Sequence, residues 1–316
     1  MSSRENIHIS ADPFMRILVT TPTGNIGSRI ADQLFAAGHP LTLLARDPSK
    51  LSDALRSRST VVEGSLDNAV AVSKALADVD TAFLLIPPQN IDPHWRAWQE
   101  SVGAAFVAAA TQAKLSRVVF ISSTGSQHEG LGPISGTGAV ERMLTAALPN
   151  VVIVRAGGFM ENTFGSLPTI AAQGAMYGVL PGDSQQQNVA TRDIADVATR
   201  WLTDATWSGH HTVGAHGPTT ITPDEMAVVL SEVLGRPVRY VQIPGPALRE
   251  ALLQAGLPAF VAGAYEEMYT GIAHHMALGD YSQEPQSPAT AGKTSFREFA
   301  QQSLKPVFEK QFAAGV

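Results

Sequence analysis

The sequence predicts an α/β fold of the doubly wound type: a parallel sheet with helices on both faces and a smaller, mostly helical C-terminal lobe. Three observations predict it. Short β-rich runs alternate with helix-length segments from Arg16 to Val154, which implies a parallel sheet covered on both sides. The runs at 81–86 and 118–121 are apolar throughout, as strands buried on both faces are. After Arg155 the texture changes to glycine-rich loops and isolated helices.

The elements follow in order. Arg16-Ile17-Leu18-Val19-Thr20 is a strand, and a turn follows it. Ile26 to Ala37 places Ile26, Ile30, Leu34 and Ala37 on one helix face. Gly38 ends that helix, and 41–45 is the next strand. Val61-Val62-Glu63 is a short strand, and 68–77 a helix. Thr81 to Ile86 is a strand stopped by Pro87-Pro88. Asp92 is placed to cap a long helix that opens at Pro93 and runs to about Ala113. The spacing predicts a strand over 118–121, a helix over 138–147 and a strand over 151–154. Beyond Arg155, helices are expected over 193–202, with Asp193 as its cap, and over 223–234, ended by Gly235. Residues 246–278 read as helical in pieces. The expected organisation is a flexible tail over 1–13, a dinucleotide-binding domain over 14–155 and a substrate lobe over 156–316 interleaved with the sheet.

Composition narrows the function. The 316 residues are 44% hydrophobic and 16% charged, which suits a protein with a sizeable core. There is no cysteine, so disulfides, thiolate metal sites and cysteine nucleophiles are excluded. The net charge is -6 with no Lys/Arg run, which argues against nucleic acid and anionic membranes as partners. The N-terminus has no apolar signal-peptide core, and the longest apolar run, near 102–110, is too short to span a bilayer. We expect a cytoplasmic protein whose partner is a small molecule, with a homodimer as the assembly the sequence allows.

The first turn carries the chemistry. It reads Thr20-Thr21-Pro22-Thr23-Gly24-Asn25-Ile26-Gly27. Dinucleotide binding there needs a tight turn, a backbone without Cβ where the pyrophosphate sits, and a small residue where helix meets strand. Gly24 and Gly27 supply the last two. The amides of Asn25 and Ile26 would face the phosphates, where the helix dipole favours an anion. Thr21 and Thr23 complete the expected cradle. Arg46 follows the second strand, 19 positions after Gly27. An acidic residue there would hold the ribose hydroxyls of NAD, whereas arginine suits a 2′-phosphate. With Lys50 assisting, the reading is NADPH.

The sequence resembles the NmrA-like group of atypical short-chain dehydrogenase/reductases. That group includes NADPH-dependent quinone and triphenylmethane reductases and dinucleotide-sensing regulators. The resemblance rests on Leu18 through Gly27, Ala45-Arg46-Asp47, the stretches 83–87, 118–123 and 154–162, Thr191 through Ala198, and Leu234 through Val238. It implies a Rossmann-like fold. It also implies that Leu85, Ile86 and Pro87 wall the adenine and ribose side, and that Ser122 and Ser123 end the central strand near the nicotinamide. Gly157, Gly158 and Phe159 are implied beside the nicotinamide and substrate.

Two departures from the group's pattern stand out. Thr21 replaces the usual first glycine, and its branched side chain resists positive φ; Pro22 biases it further toward extended geometry. Ala156 replaces the proline usual after the arginine. The catalytic pair is also missing. None of the five tyrosines has a lysine four residues later, and no lysine lies between 115 and 292. Carbonyl reduction by a Tyr/Lys acid is therefore not expected. Hydride transfer to an electron-poor acceptor asks less of a side-chain acid, because the cofactor does the hard chemistry.

The expected activity is NAD(P)H-dependent reduction of a conjugated acceptor such as a quinone. The alternatives are a non-catalytic dinucleotide-sensing regulator and a biosynthetic imine or enone reductase. Ser123 and His128 are the candidate catalytic residues. No metal site is expected: His210-His211 and His274-His275 are adjacent pairs, whereas helical ligands on one face are three or four apart.

Overall fold

The computed structural model describes residues 15–87, 93–281, 284–285, 287 and 289–312; the tail expected over 1–13 and the cap expected at Asp92 lie outside them. The first half runs β1 (Ile17–Thr20), α1 (Asn25–Ala36), β2 (Leu41–Ala45), α2 (Asp53–Arg58), β3 (Thr60–Glu63), α3 (Ala69–Ala75), β4 (Thr81–Leu84), α4 (Trp95–Gln112), β5 (Arg117–Ser123), α5 (Pro133–Ala147) and β6 (Val151–Ala156). The second half runs α6 (Leu167–Gln173), β7 (Ala175–Gly178), α7 (Thr191–Thr203), β8 (His210–Ala215), α8 (Pro223–Leu234), β9 (Arg239–Gln242), α9 (Gly245–Gln254), α10 (Ala259–Leu278), α11 (Phe296–Phe299) and α12 (Lys305–Phe312).

Seven strands form one parallel sheet in the order β3-β2-β1-β4-β5-β6-β8. The order reverses between β1 and β4, and open α/β sheets bind ligands at such a point, outside the carboxyl ends of the strands. Alternate strand residues feed two cores, because successive side chains point to opposite faces. Ile17, Val19, Phe83, Val119, Ile121, Val152 and Val154 pack with Ile30 and Leu34 of α1 and Ile194 and Ala198 of α7. Leu18, Leu44, Val118, Phe120 and Ile153 pack with Val72 of α3, Phe106 of α4 and Val140 of α5. The fold is Rossmann-like, as the alternation predicts.

The second half closes this sheet and adds to it. β7 and β9 pair in parallel as a separate two-stranded sheet. A third core joins Met160, Ile170 and Met176 to Leu230 of α8 and to Phe296, Phe299 and Leu304 near the C-terminus. No described helix is long and apolar enough to cross a membrane.

Several boundaries differ from the sequence reading, each for a physical reason. Helix α4 starts at Trp95 with His94 as its N-cap, so Pro93 lies in the preceding turn. Helix α5 starts at Pro133 rather than 138. Its Gly136 and Gly138 are packing residues. A Cβ on Gly136 would fall 2.1 Å from Gln99 Oε1, and one on Gly138 would fall 1.9 Å from Ser126 O. Strand β5 runs two residues past Ile121 and so carries Ser122 and Ser123 itself. Strand β8 escapes notice because it is an edge strand with a polar, alternately exposed sequence. Helices α9 and α10 are the expected pieces of 246–278, separated around Gly256 (φ +85°) and Pro258.

Asp193 does not cap its own helix. Glu161 does so instead: its Oε1 accepts from Thr191 N–H (3.0 Å) and from Thr191 Oγ1 (2.6 Å). The carboxylate of Asp193 is buried and turned to the C-terminal segment, where it accepts from Thr294 N–H (2.9 Å) and Oγ1 (3.1 Å). A buried carboxylate needs such donors, and they come from 101 residues away. Asp193→Ala should therefore lower the free energy of unfolding by about 2–3 kcal/mol, since it strands two donors in a dry site. A urea melt showing a loss under about 0.5 kcal/mol, the size of a surface substitution, would contradict that role.

Candidate functional site

The carboxyl edge of the sheet is built around the turn from β1 to α1. Thr20 is fully buried, and its hydroxyl stitches the two strands at the reversal: it donates to Phe83 O (3.0 Å) and accepts from Leu85 N–H (3.1 Å). Thr21 takes φ +56°. The expectation that its branched side chain resists positive φ is overridden here. Gly24 N–H donates to Thr21 O (3.0 Å), closing the turn. Gly27 locks it from the other side, because a Cβ there would fall 2.2 Å from Thr21 O. The turn cannot relax without pushing α1 off β1, and that packing outweighs the about 1–2 kcal/mol that left-handed geometry costs a branched residue.

The N-terminus of α1 is open. No side chain caps it, and the first helical bond is from Ser28 N–H to Gly24 O (2.9 Å). The amides of Asn25, Ile26 and Gly27 precede that bond and have no acceptor within the helix. Gly24 differs from Gly27. A Cβ on Gly24 would meet only Thr21 O, at an ordinary 3.5 Å, so the protein's own packing does not require a glycine there. Thr23 and Asn25 are exposed beside it.

Arg46 is exposed just past β2 and makes no ion pair among the described residues. Its neighbour Asp47 is occupied: it accepts from Ser49 N–H (3.1 Å) and Ser49 Oγ (2.6 Å), and Lys50 Nζ lies 3.8 Å away. The Ser49 hydrogen bonds hold the Asp47 carboxyl below its usual range. Leu85 and Pro87 are half-buried and Ile86 buried at the end of β4, next to the turn.

The edge also holds buried polar atoms with no partner among the described residues: Thr21 Oγ1, Ser122 Oγ, Thr124 Oγ1 and Gln187 Oε1. Buried polar atoms are normally paired, so each calls for an explanation. Ser122 and Thr124 lie at the end of β5, and Gln187 against Gly157. A Cβ on Gly157 would fall 1.6 Å from Gln187 O, and one on Gly158 would fall 2.5 Å from Asn188 Oδ1. These glycines let the segment after β6 lie against 187–189, where Phe159 bridges to Val189. The donors at α1, the open flank of Gly24 and the unpartnered hydroxyls together fit a dinucleotide laid across the edge.

The sequence reading missed the charged layer beside this edge. Arg155 Nη2 lies 2.8 Å from Glu141 Oε2, and its Nη1 lies 2.8 Å from Glu284 Oε1. Ser126 Oγ donates to Glu141 Oε1 (2.6 Å). Burial opposes the Arg155 charge, but the two carboxylates outweigh it and raise its pKa. Burial also lowers the pKa of His216, and the nearby Glu284 pulls the other way. An arginine inside a buried strand was the available signal, because such a charge needs partners. Tyr281 donates to Thr124 O (3.2 Å), and its ring crowds Gly125, where a Cβ would fall 2.6 Å from its Cε2. Burial pushes its phenol up to about 12, so it is a hydrogen-bond donor at neutral pH. Ser123 Oγ donates to Thr124 O (3.2 Å). His128, expected as a proton source, is half-buried; its ring stacks on His275 and its Nε2 lies 3.1 Å from Asp280 O.

Two substitutions separate the roles of the turn. Thr21→Gly should raise stability by about 0.5–1 kcal/mol by removing the left-handed strain. Gly24→Val should leave the melting temperature near its original value but weaken dinucleotide binding about tenfold or more, roughly 1.4 kcal/mol. Unchanged affinity in a folded Gly24→Val protein would remove the phosphates from this turn.

The comparisons with known proteins agree with this fold. The profile of the NmrA-like family matches residues 14–300. The chain is 29% identical over 289 residues to an NAD(P)H azoreductase of Xenophilus azovorans, covering 90% of this chain and 96% of that one. It is 33% identical over 261 residues to a (4-alkanoyl-5-oxo-2,5-dihydrofuran-3-yl)methyl phosphate reductase of Streptomyces griseus, covering 79% and 84%. Among solved structures, an NADPH complex of a quinone oxidoreductase from Escherichia coli superposes with a TM-score of 0.75 at 20% identity, covering 90% of this chain and 98% of that one. With a profile match across nearly all of its described length, the chain belongs to the NmrA-like family.

Proposed function

We infer that this chain is an NAD(P)H-dependent oxidoreductase that reduces a small, conjugated, electron-poor acceptor. The carrying observation is the uncapped start of α1 facing a sheet edge lined with unpartnered buried hydroxyls. The two curated relatives support it, since both are named as reductases. An azo group and an acyl-substituted unsaturated lactone are both electron-poor conjugated systems, and a quinone is a third.

Bound at this edge, the reduced nicotinamide would supply the hydride. The chain's own residues orient and enclose. The α1 amides and Gly24 hold the pyrophosphate, and Leu85, Ile86 and Pro87 wall the adenine side. Ser122, Ser123 and the Gly157-Gly158-Phe159 segment position the nicotinamide and acceptor. The sequence has no tyrosine followed four residues later by lysine, and no lysine between 115 and 292. An acceptor that tolerates developing negative charge takes its proton from water, which fits the absence of such a pair.

The preferred cofactor in this reading is NADPH. Arg46 makes no ion pair among the described residues, while Asp47, the acid that could hold a ribose hydroxyl, is bound to Ser49. Following nicotinamide absorbance against a panel of quinones, azo dyes and unsaturated lactones should show turnover with NADPH preferred. Arg46→Ala should erase about 1.5–3 kcal/mol of that preference, the size of a charge-assisted contact. Equal affinity for NADH and NADPH in the parent protein would defeat the Arg46 assignment. Tight cofactor binding without turnover on any acceptor would favour a dinucleotide sensor.

A further inference from the structure

Three groups able to bind a metal meet beside the β5 loop. They are His128 in the loop after β5, His275 in the last turn of α10, and Asp280 just past that helix's end. Their ligand atoms all lie within 4.8 Å of one another. His275 Nδ1 is 2.9 Å from Asp280 Oδ1. The two imidazoles stack with centroids 4.1 Å apart and planes 29° apart. His128 and His275 are half-buried and Asp280 is exposed, so the ring ends have room to move and an ion has a path in.

His128 Nε2 faces the Asp280 carbonyl oxygen at 3.1 Å and the Gln127 side chain at 3.2 Å. A carboxylate, a carbonyl oxygen and two imidazoles thus converge around Asp280, and a cation held by deprotonated ring nitrogens and the carboxylate would fit among them.

We propose that His128, His275 and Asp280 form a site for a divalent transition-metal ion of the zinc class. Two imidazoles and one carboxylate suit zinc and its neighbours, whereas magnesium and calcium prefer all-oxygen shells. Zinc bonds of about 2.0–2.2 Å place neighbouring ligand atoms roughly 3.3–3.6 Å apart. Rotation of partly exposed side chains closes the remaining gap. Three protein ligands leave a fourth position to water. His274, next in sequence to His275, is exposed with its ring edge-on to that of His275, and it is outside the ligand set. The adjacent-pair argument from sequence missed the site because His275 takes its partner from the β5 loop, 147 residues earlier.

The ion would fasten the end of α10 to the loop that leaves Ser122 and Ser123. Tyr281 follows Asp280 directly and already holds Thr124 O. Metal occupancy would therefore stiffen the wall of the cleft without contacting the cofactor turn.

The test uses the full-length protein stripped with a chelator and titrated calorimetrically with Zn²⁺, with Mg²⁺ as control. One equivalent of Zn²⁺ should bind and Mg²⁺ should not. His128→Ala and His275→Ala should each weaken Zn²⁺ binding by about tenfold or more, because removing a ligand costs at least as much as removing its outer-shell support. His274→Ala should leave it unchanged. Circular dichroism and melting of the metal-free variants establish that they are folded, and the milder His275→Gln variant repeats the test with a polar side chain. Co²⁺ should give the intense visible bands of a low-coordinate site. Absence of stoichiometric Zn²⁺ binding would overturn the proposal. So would unchanged stoichiometry and affinity in a folded His128→Ala/His275→Ala protein.

Discussion

The close approach of Gly27 to Thr21 O is the contact on which the rest of the site depends. It brings the start of α1 against the end of β1, at the place where the strand order reverses. Only a residue without Cβ fits there, and the cost is a threonine held at positive φ. Tertiary packing outweighs local preference because a 12-residue helix buries Ile26, Ile30 and Leu34 through the same contact. Each such side chain contributes about 1.5–3 kcal/mol on burial, more than the strain at a single residue. The helix start is left with donors that have no acceptor within the helix, the arrangement that favours an anion.

The second half of the chain serves the same edge. β8 extends the sheet beside β6, and the segments after both strands fold over the carboxyl ends. Asp193 holds Thr294, and Arg155 holds Glu284, so a buried and a half-buried charge tie the C-terminal stretch down close to the hydroxyls of β5. Paired and hydrogen-bonded charges of this kind are costly to break, because one partner alone is left buried. The edge is thereby fixed on one side, beside the unpartnered polar atoms of Ser122 and Thr124. In the proposed function that arrangement would position a cofactor and acceptor without supplying a strong side-chain acid.

Much of this was legible in the sequence. The buried strands announced themselves as apolar runs, and the first turn announced the close strand–helix junction through Gly27. Asn68 caps α3 and Thr222 caps α8, as their residue types favour. What stayed hidden has common causes. The helix over 133–147 was expected to start only at 138 because the sequence does not show that Gln99 and Ser126 press against Gly136 and Gly138. β8 looked polar because one of its flanks is an edge. Thr21 looked unsuited to its turn because strain is imposed from α1. Glu141, Tyr281 and Glu284 were invisible as neighbours of β5 and β6 because long-range folding alone brings them there.

Amide hydrogen exchange with and without NADPH tests the central claim most directly. The amides of Asn25, Ile26 and Gly27 have no intrahelical acceptor, so they should exchange quickly in the free protein. Saturating NADPH should slow exchange across 21–28, with weaker protection over 121–125 and 156–159. Saturable binding that leaves the 21–28 amides exchanging at their free rate would contradict the account.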